Sequence, residues 1–314
     1  MDLASYRRPV LVVTGAAGFI GRHVLEQAAA IGAEVIAVDR RQDADERIDL
    51  LVDLADATDR RPDLVGVLAS ATAVIHLAGA GGVRSDVPGI AGRRRRDNVL
   101  AARSVLALTP PRVPVIVTSS SSVYGGCRPP RRNHEDDRLR PRGGYATSKV
   151  AVEQACRRRA ASGGRVTVVR PFTVIGAGQR ADMALSRWVA QALAGQPLTV
   201  FGAIDRTRDL TDARDAARSL IRLAALAPQV TVNLGSGTRV TLEAMTAAVR
   251  RTVADTGVQP AVATVEEPDH TLADVARCHG LLGFVPRSPD LDTVVGAIAA
   301  ELRRARRPTS AAVA

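Results

Sequence analysis

Of the 43 basic residues in this 314-residue chain one is a lysine, Lys149, and it follows Tyr145 by four positions. On a helix that spacing puts both side chains on one face, a turn apart. A phenol, with a pKa of about 10, is a poor base near neutral pH, but an adjacent ammonium favours the phenolate and lets the pair take up and return a proton. Because every other basic residue is arginine, the exception implies a task for which a planar guanidinium is unsuited. Upstream, Ser119-Ser120-Ser121-Ser122 leads into Val123-Tyr124-Gly125, a serine-rich strand end that taken alone could be a turn.

A second constellation lies near the start. Val10 to Val13 reads as a buried strand, followed by Thr14-Gly15-Ala16-Ala17-Gly18-Phe19-Ile20-Gly21 and a helix running to about Ile31. Glycines at these three positions permit a tight turn, close backbone approach to a pyrophosphate and close helix packing, while the helix start offers amides to the anion. Asp39, ending the second strand, supplies a carboxylate for adenosine ribose hydroxyls and favours NAD; Arg40 and Arg41 argue for the 2′-phosphate of NADP. Asp53-Leu54 falls where an adenine ring is held, with a helix cap as the alternative role for Asp53.

The elements that must position these groups alternate. Pro9 to Thr14, Glu34 to Asp39, Ala73 to Leu77, Val113 to Ser119 and Arg165 to Arg170 read as strands separated by helices, one of which begins near Tyr145. Near-continuous apolar strands in a βαβ rhythm predict a parallel sheet covered on both faces, an α/β doubly wound Rossmann fold. After Pro171 the rhythm loosens: an amphipathic stretch at Met183 to Ala194, a strand at Leu198 to Phe201, and helices near Ala213 to Ala225 and Leu242 to Thr256. Residues 1–172 are therefore expected to form the dinucleotide domain, and 173–314 mainly a smaller α/β substrate lobe with some strands returning to the sheet.

Hydrophobic content of 46% supports a large core. Neither a signal peptide nor a membrane span is expected, and Cys127, Cys156 and Cys278, odd in number and without metal-ligand spacing, suit packing roles in a cytoplasmic protein. The net charge of +11 raises nucleic-acid binding, but the arginine clusters at 93–96, 128–132 and 303–307 lack interleaved aromatics and read as solvated faces. No metal and no nucleic-acid partner is expected.

With Thr14 to Gly21, Asp39, His76-Leu77-Ala78-Gly79, Ser119 to Gly125 and Tyr145-Ala-Thr-Ser-Lys149 in order, the chain resembles the extended short-chain dehydrogenases/reductases, the NAD-dependent nucleotide-sugar epimerases and dehydratases. The resemblance implies NAD held by Gly15, Gly18, Phe19, Ile20, Gly21, Asp39, Arg40, Asp53, Leu54, Leu77, Ala78, Gly79, Asn98, Tyr145, Lys149 and Pro171, with Ser120, Tyr145 and Lys149 catalytic. It implies a homodimer as well. Ser121 and Ser122 stand where the resembling 4,6-dehydratases carry Asp and Glu, and where the decarboxylases carry Glu at the second position. Serine cannot supply that acid and base, which leaves epimerisation or ketoreduction.

Two segments, His76 to Ser85 and Arg170 to Ala184, resemble those of bacterial UDP-glucuronate 4-epimerases, with Thr173 in place of a commoner Asn. This implies a UDP-sugar substrate contacted by Arg84, Ser121, Ser122, Thr173, Arg180, Met183, Val200 and Arg208, with Arg180, Thr173 and the two serines on the sugar carboxylate. Oxidising C4 of a glucuronate creates a β-keto acid that loses CO₂ when its carboxylate aligns with the carbonyl; holding the carboxylate out of alignment lets hydride return first. Departures are Glu266, where the family has a second diphosphate arginine that Arg206 is placed to replace, and Asp212, where an aromatic is common. The alternatives are an NADPH-dependent 4-ketoreductase and a non-catalytic nucleotide- or nucleic-acid-binding protein on this fold.

Overall fold

The computed structural model describes residues 9–42, 47–57, 61–82, 88–264 and 266–306. Six strands open the chain order: β1 (Val10–Thr14), β2 (Glu34–Asp39), β3 (Leu50–Leu51), β4 (Ala73–His76), β5 (Val115–Thr118) and β6 (Val166–Pro171). Then come β7 (Thr173–Ile175), β8 (Leu198–Phe201), β9 (Thr207–Asp212), β10 (Thr231–Leu234), β11 (Arg239–Thr241) and β12 (Val258–Ala261). The main sheet has the order β10-β6-β5-β4-β1-β2-β3, parallel throughout. The order reverses between β1 and β4, so their carboxyl ends form the crevice in which such sheets bind ligands.

Both faces are covered, which is why the strands are apolar at consecutive positions. On one side Leu11, Val13, Ile75 and Val232 pack with Val24 and Ala28 of α1 (Phe19–Ala30) and with Ala216, Leu220 and Leu223 of a later helix, Ala213–Leu226. On the other, Val12, Val74, Val115 and Val117 pack with Leu64 and Leu68 of α2 (Pro62–Ser70), with Ala102 and Val105 of α4 (Ala101–Leu108), which follows α3 (Ile90–Arg94) through a π-type turn at Arg95–Leu100, and with Val152 and Cys156 of α5 (Gly143–Ala161). Cys156 and Cys278 are buried free thiols, each pushed up to about 12 by burial.

A smaller core joins Leu185, Trp188 and Val189 of α6 (Ala184–Leu193) to Leu198, Leu210, Met245 and Ile298. Two short sheets, β11-β9-β7 and β12-β8, belong to this part. The second half also contributes to the main sheet: β10 pairs with β6, and α7 (Ala213–Leu226) lies against α1. Asp212, unusual for its position, caps α7 by accepting from the amides of Arg214 and Asp215 at 2.8 and 3.4 Å. No helix among the described residues is long and apolar enough to cross a membrane, and no group of three or more His, Cys, Asp or Glu there could hold a metal.

Candidate active site

A cleft of about 1240 Å³ runs along the carboxyl ends of β1, β2, β4, β5 and β6 and continues beneath the smaller core. At its floor Gly15, in the left-handed conformation (φ 73°), turns the chain out of β1. A Cβ there would lie 2.6 Å from the Ala78 nitrogen, and one on Gly21 would overlap the Gly15 carbonyl oxygen. No side chain caps the start of α1 at Gly18, so a glycine cradle and helix amides face the cleft together. These features fit the pyrophosphate of a dinucleotide.

At one end of the cleft Asp39 is buried and accepts from the Ala17 and Arg41 amides at 3.1 and 3.0 Å. Asp53 lines the same end and closes a turn rather than capping a helix, accepting from the Ala55 amide at 3.0 Å and from Arg96 at 2.6 Å. Burial alone would raise its pKa; the Arg96 and Ala55 hydrogen bonds outweigh burial and hold the carboxyl below the usual carboxylate range. Arg40 reaches the cleft wall, but its guanidinium is held in a two-pronged pair by Asp97 at 2.8 and 3.0 Å.

Tyr145, Lys149 and Glu153 follow one another at one-turn intervals along α5. Tyr145 and Lys149 line the cleft, with the Lys149 ammonium 6.0 Å from the centre of the phenol ring and donating to the Thr118 carbonyl at 3.0 Å. The buried His76 ring, 2.7 Å from the Thr14 hydroxyl, is pushed down to about 3 by burial and by the Lys149 charge, so it is neutral beside that ammonium. Glu153 points to the buried side. It accepts from Ser119 at 2.7 Å and pairs with Arg170 through two contacts of 2.8 Å, and Arg170 in turn donates to the Tyr124 hydroxyl at 2.8 Å. Burial leads the factors that push the Tyr124 phenol up to about 12. This network separates the serines. Ser119 is fixed inward, whereas Ser120 starts the tight turn Ser121–Tyr124 by accepting from the Ser122 amide at 3.1 Å. Ser120, Ser121 and Ser122 all line the cleft, and the Ser122 hydroxyl is buried without a hydrogen-bond partner among the described residues.

Across the cleft, β7 places Thr173 beside Leu210 of β9, two residues from Arg208. Arg208 lines the wall and donates to the Asp269 carbonyl at 3.0 Å; burial lowers its pKa from the ordinary arginine value. Arg180 lies over the Gly81–Gly82 loop, where a Cβ on Gly81 would come within 2.6 Å of its guanidinium, and pairs with Asp182 at 2.9 Å.

The cleft thus brings together nearly all the expected residues, with some corrections. Asn98 does not line it: its side chain binds the Ala80 amide at 2.7 Å and Ser148 at 2.9 Å, so it secures the loop from behind. Val200 is 2% exposed and faces the small core between Thr199 and Phe201, which do reach the cleft, as strand alternation requires. Arg84 lies outside the described residues. Arg206 pairs with Asp269 away from the cleft wall, so it does not take the place of the family's second arginine. The added cation on the wall is Arg187, stacked 4.9 Å from the Phe201 ring centre. Sequence reading missed both, although Arg187 falls one turn after Met183 on an amphipathic helix.

Residues 11–235 match the NAD dependent epimerase/dehydratase family. The chain belongs to that family. Its cofactor is NAD, and its chemistry is that of the family's nucleotide-sugar epimerases, dehydratases and reductases. A UDP-glucuronate 4-epimerase from Thermodesulfobacterium geofontis (strain OPF15) is 31% identical over 72% of this chain and 75% of that protein. A dTDP-4-dehydro-6-deoxy-D-allose reductase from Streptomyces bikiniensis is 30% identical over 74% of this chain and 77% of its own length. Among solved structures, MoeE5 in complex with UDP-glucuronic acid and NAD superimposes with a TM-score of 0.83 at 32% identity, over 94% of this chain and 99% of that one.

Proposed function

We propose that this protein is a UDP-sugar 4-epimerase that interconverts UDP-glucuronate and UDP-galacturonate through a 4-keto intermediate. The observation that carries the reading is the row Ser120, Ser121 and Ser122 on the cleft wall, which Thr173 also lines. Three hydroxyls can hold a sugar oxygen or carboxylate, and they provide no carboxylate for elimination. The likeness to MoeE5, solved with UDP-glucuronic acid, supports the same substrate class.

In this reading Tyr145 takes the C4 hydroxyl proton, Ser120 orients that oxygen, and the Lys149 ammonium stabilises the phenolate. NAD, when bound, supplies a reversible hydride acceptor. Gly15, Gly18 and Gly21 seat its pyrophosphate, Asp39 its ribose, Asp53 and Leu54 its adenine, and Leu77 to Gly79 with Pro171 its nicotinamide end. Arg180 exchanges Asp182 for the sugar carboxylate, which Ser121, Ser122 and Thr173 also hold, keeping the carboxylate out of line with the 4-keto group and suppressing CO₂ loss. Arg208, aided by Arg187, anchors the nucleotide diphosphate while the keto-sugar swings to present its other face. A cytoplasmic homodimer goes with this reading.

A second reading, reduction of a 4-keto deoxysugar, is favoured by the Arg180–Asp182 pair, which leaves that arginine charge-balanced without a substrate carboxylate. Incubation with a panel of UDP-uronates, UDP-hexoses and 4-keto deoxysugar nucleotides, followed by NMR, separates the two. UDP-galacturonate formed from UDP-glucuronate without added cofactor is the expected result; a UDP-pentose as main product refutes the carboxylate clamp, and turnover confined to added NADPH and a keto-sugar refutes the epimerase.

A further inference from the structure

Four arginines stand around the adenosine end of the cleft: Arg40, Arg41, Arg93 and Arg96. Charges of this kind ordinarily favour NADP, because an arginine fork matches the 2′-phosphate. Here one carboxylate gathers three of them. Asp97, 7% exposed and set in the π-type turn between α3 and α4, takes both prongs of Arg40 at 2.8 and 3.0 Å, Arg96 at 3.1 Å and the Arg93 Nε at 3.5 Å. Asp53 and Asp56 complete the neutralisation, at 2.6 and 2.8 Å from Arg96. Arg41, whose side chain is 65% exposed, leans instead toward Asp39 at 3.8 Å.

We propose that Asp97 is a positioning residue for cofactor choice: by holding Arg40 it keeps that guanidinium from a 2′-phosphate and thereby enforces NAD. Discrimination then has two parts. Asp39 repels the phosphate directly, and Asp97 withholds Arg40 from it. Asp97 reaches Arg40, just past β2, from the π-type turn, while the neighbouring Asn98 faces the Gly79–Ala80 loop. The inference concerns the adenosine end alone and stands whichever sugar is the substrate.

The test is direct binding of NADH and NADPH to the purified protein after its bound NAD has been stripped, read by nicotinamide fluorescence, so it does not depend on turnover. A freed arginine fork on a phosphate is worth about tenfold or more in affinity. Asp97→Asn in an Asp39→Asn background is expected to tighten NADPH by about that factor relative to Asp39→Asn alone, with NADH changed less than about threefold; a change of the NADPH/NADH ratio below about threefold overturns the proposal. Arg40→Met in the otherwise native protein, an exposed substitution that leaves Asp97 with Arg93 and Arg96, provides the second measurement. It is expected to leave NADPH affinity within about threefold of its starting value, and a selective loss of about tenfold or more would show that Arg40 already grips the phosphate.

Discussion

Replacing Lys149 by methionine keeps the stem and removes the charge, and the consequence can be worked from the structure. The ammonium lies 6.0 Å from the centre of the Tyr145 ring and is 7% exposed, so solvent screens it little. At that separation and an effective dielectric of about 20, one unit charge stabilises an opposite one by about 3 kcal/mol, equivalent to roughly a hundredfold in rate. Lys149→Met should therefore lower kcat by about two orders of magnitude, with part of the loss recovered at higher pH as the unassisted phenol ionises. Lys149→Arg should not restore the rate, because a planar guanidinium does not reproduce the compact ammonium that the Thr118 carbonyl holds beside the phenol. The assay is steady-state turnover across pH 6–10 with bound NAD quantified by absorbance, since Lys149 also lies along the cofactor cleft. A methionine variant with full NAD content that turns over within about fivefold of the native rate would refute the electrostatic role.

Three further outcomes follow from the packing. Gly21→Ala forces a Cβ into the Gly15 carbonyl and should reduce NAD content of the purified protein to a small fraction while costing about 1–3 kcal/mol of stability. Glu153→Gln breaks a buried ion pair and leaves Arg170 uncompensated, so chemical denaturation should show a loss of about 3–5 kcal/mol. His76 accepts a proton near pH 6.5 when unfolded but only at about 3 when folded, so its contribution is intact above 6.5 and is lost as the pH falls through that window, by about 1.4 kcal/mol per unit. His76→Asn should flatten the acid limb of the stability curve by about that slope, measured by urea unfolding between pH 6 and 4.

The parallel sheet and the nucleotide end of the cleft were legible in the sequence because their signals are local. Buried parallel strands announce themselves as β-branched runs, and Gly15 and Gly21 are demanded by a backbone approach that leaves no room for a Cβ. Tyr145 and Lys149 were legible through helical spacing. The rest was set by tertiary packing. The Arg40 guanidinium is engaged by Asp97, 57 positions away, a pairing that no local pattern announces. Asn98 and Val200 align with positions near ligand, yet the first is spent on the Ala80 backbone and the second points into the small core. Arg187 and Phe201 meet only because α6 and β8 pack together, and β10 crosses back to the main sheet from a stretch with ordinary strand character.

In the proposed epimerisation hydride leaves C4 of the sugar and returns to the same carbon within one site. UDP-glucuronate carrying deuterium at C4, incubated with the purified protein in ordinary water and without added nucleotide, tests it most directly. Mass spectrometry and NMR of the UDP-galacturonate should find the label retained at C4. Product that has lost deuterium to solvent, or label that moves only into added free dinucleotide, would contradict that hydride cycle.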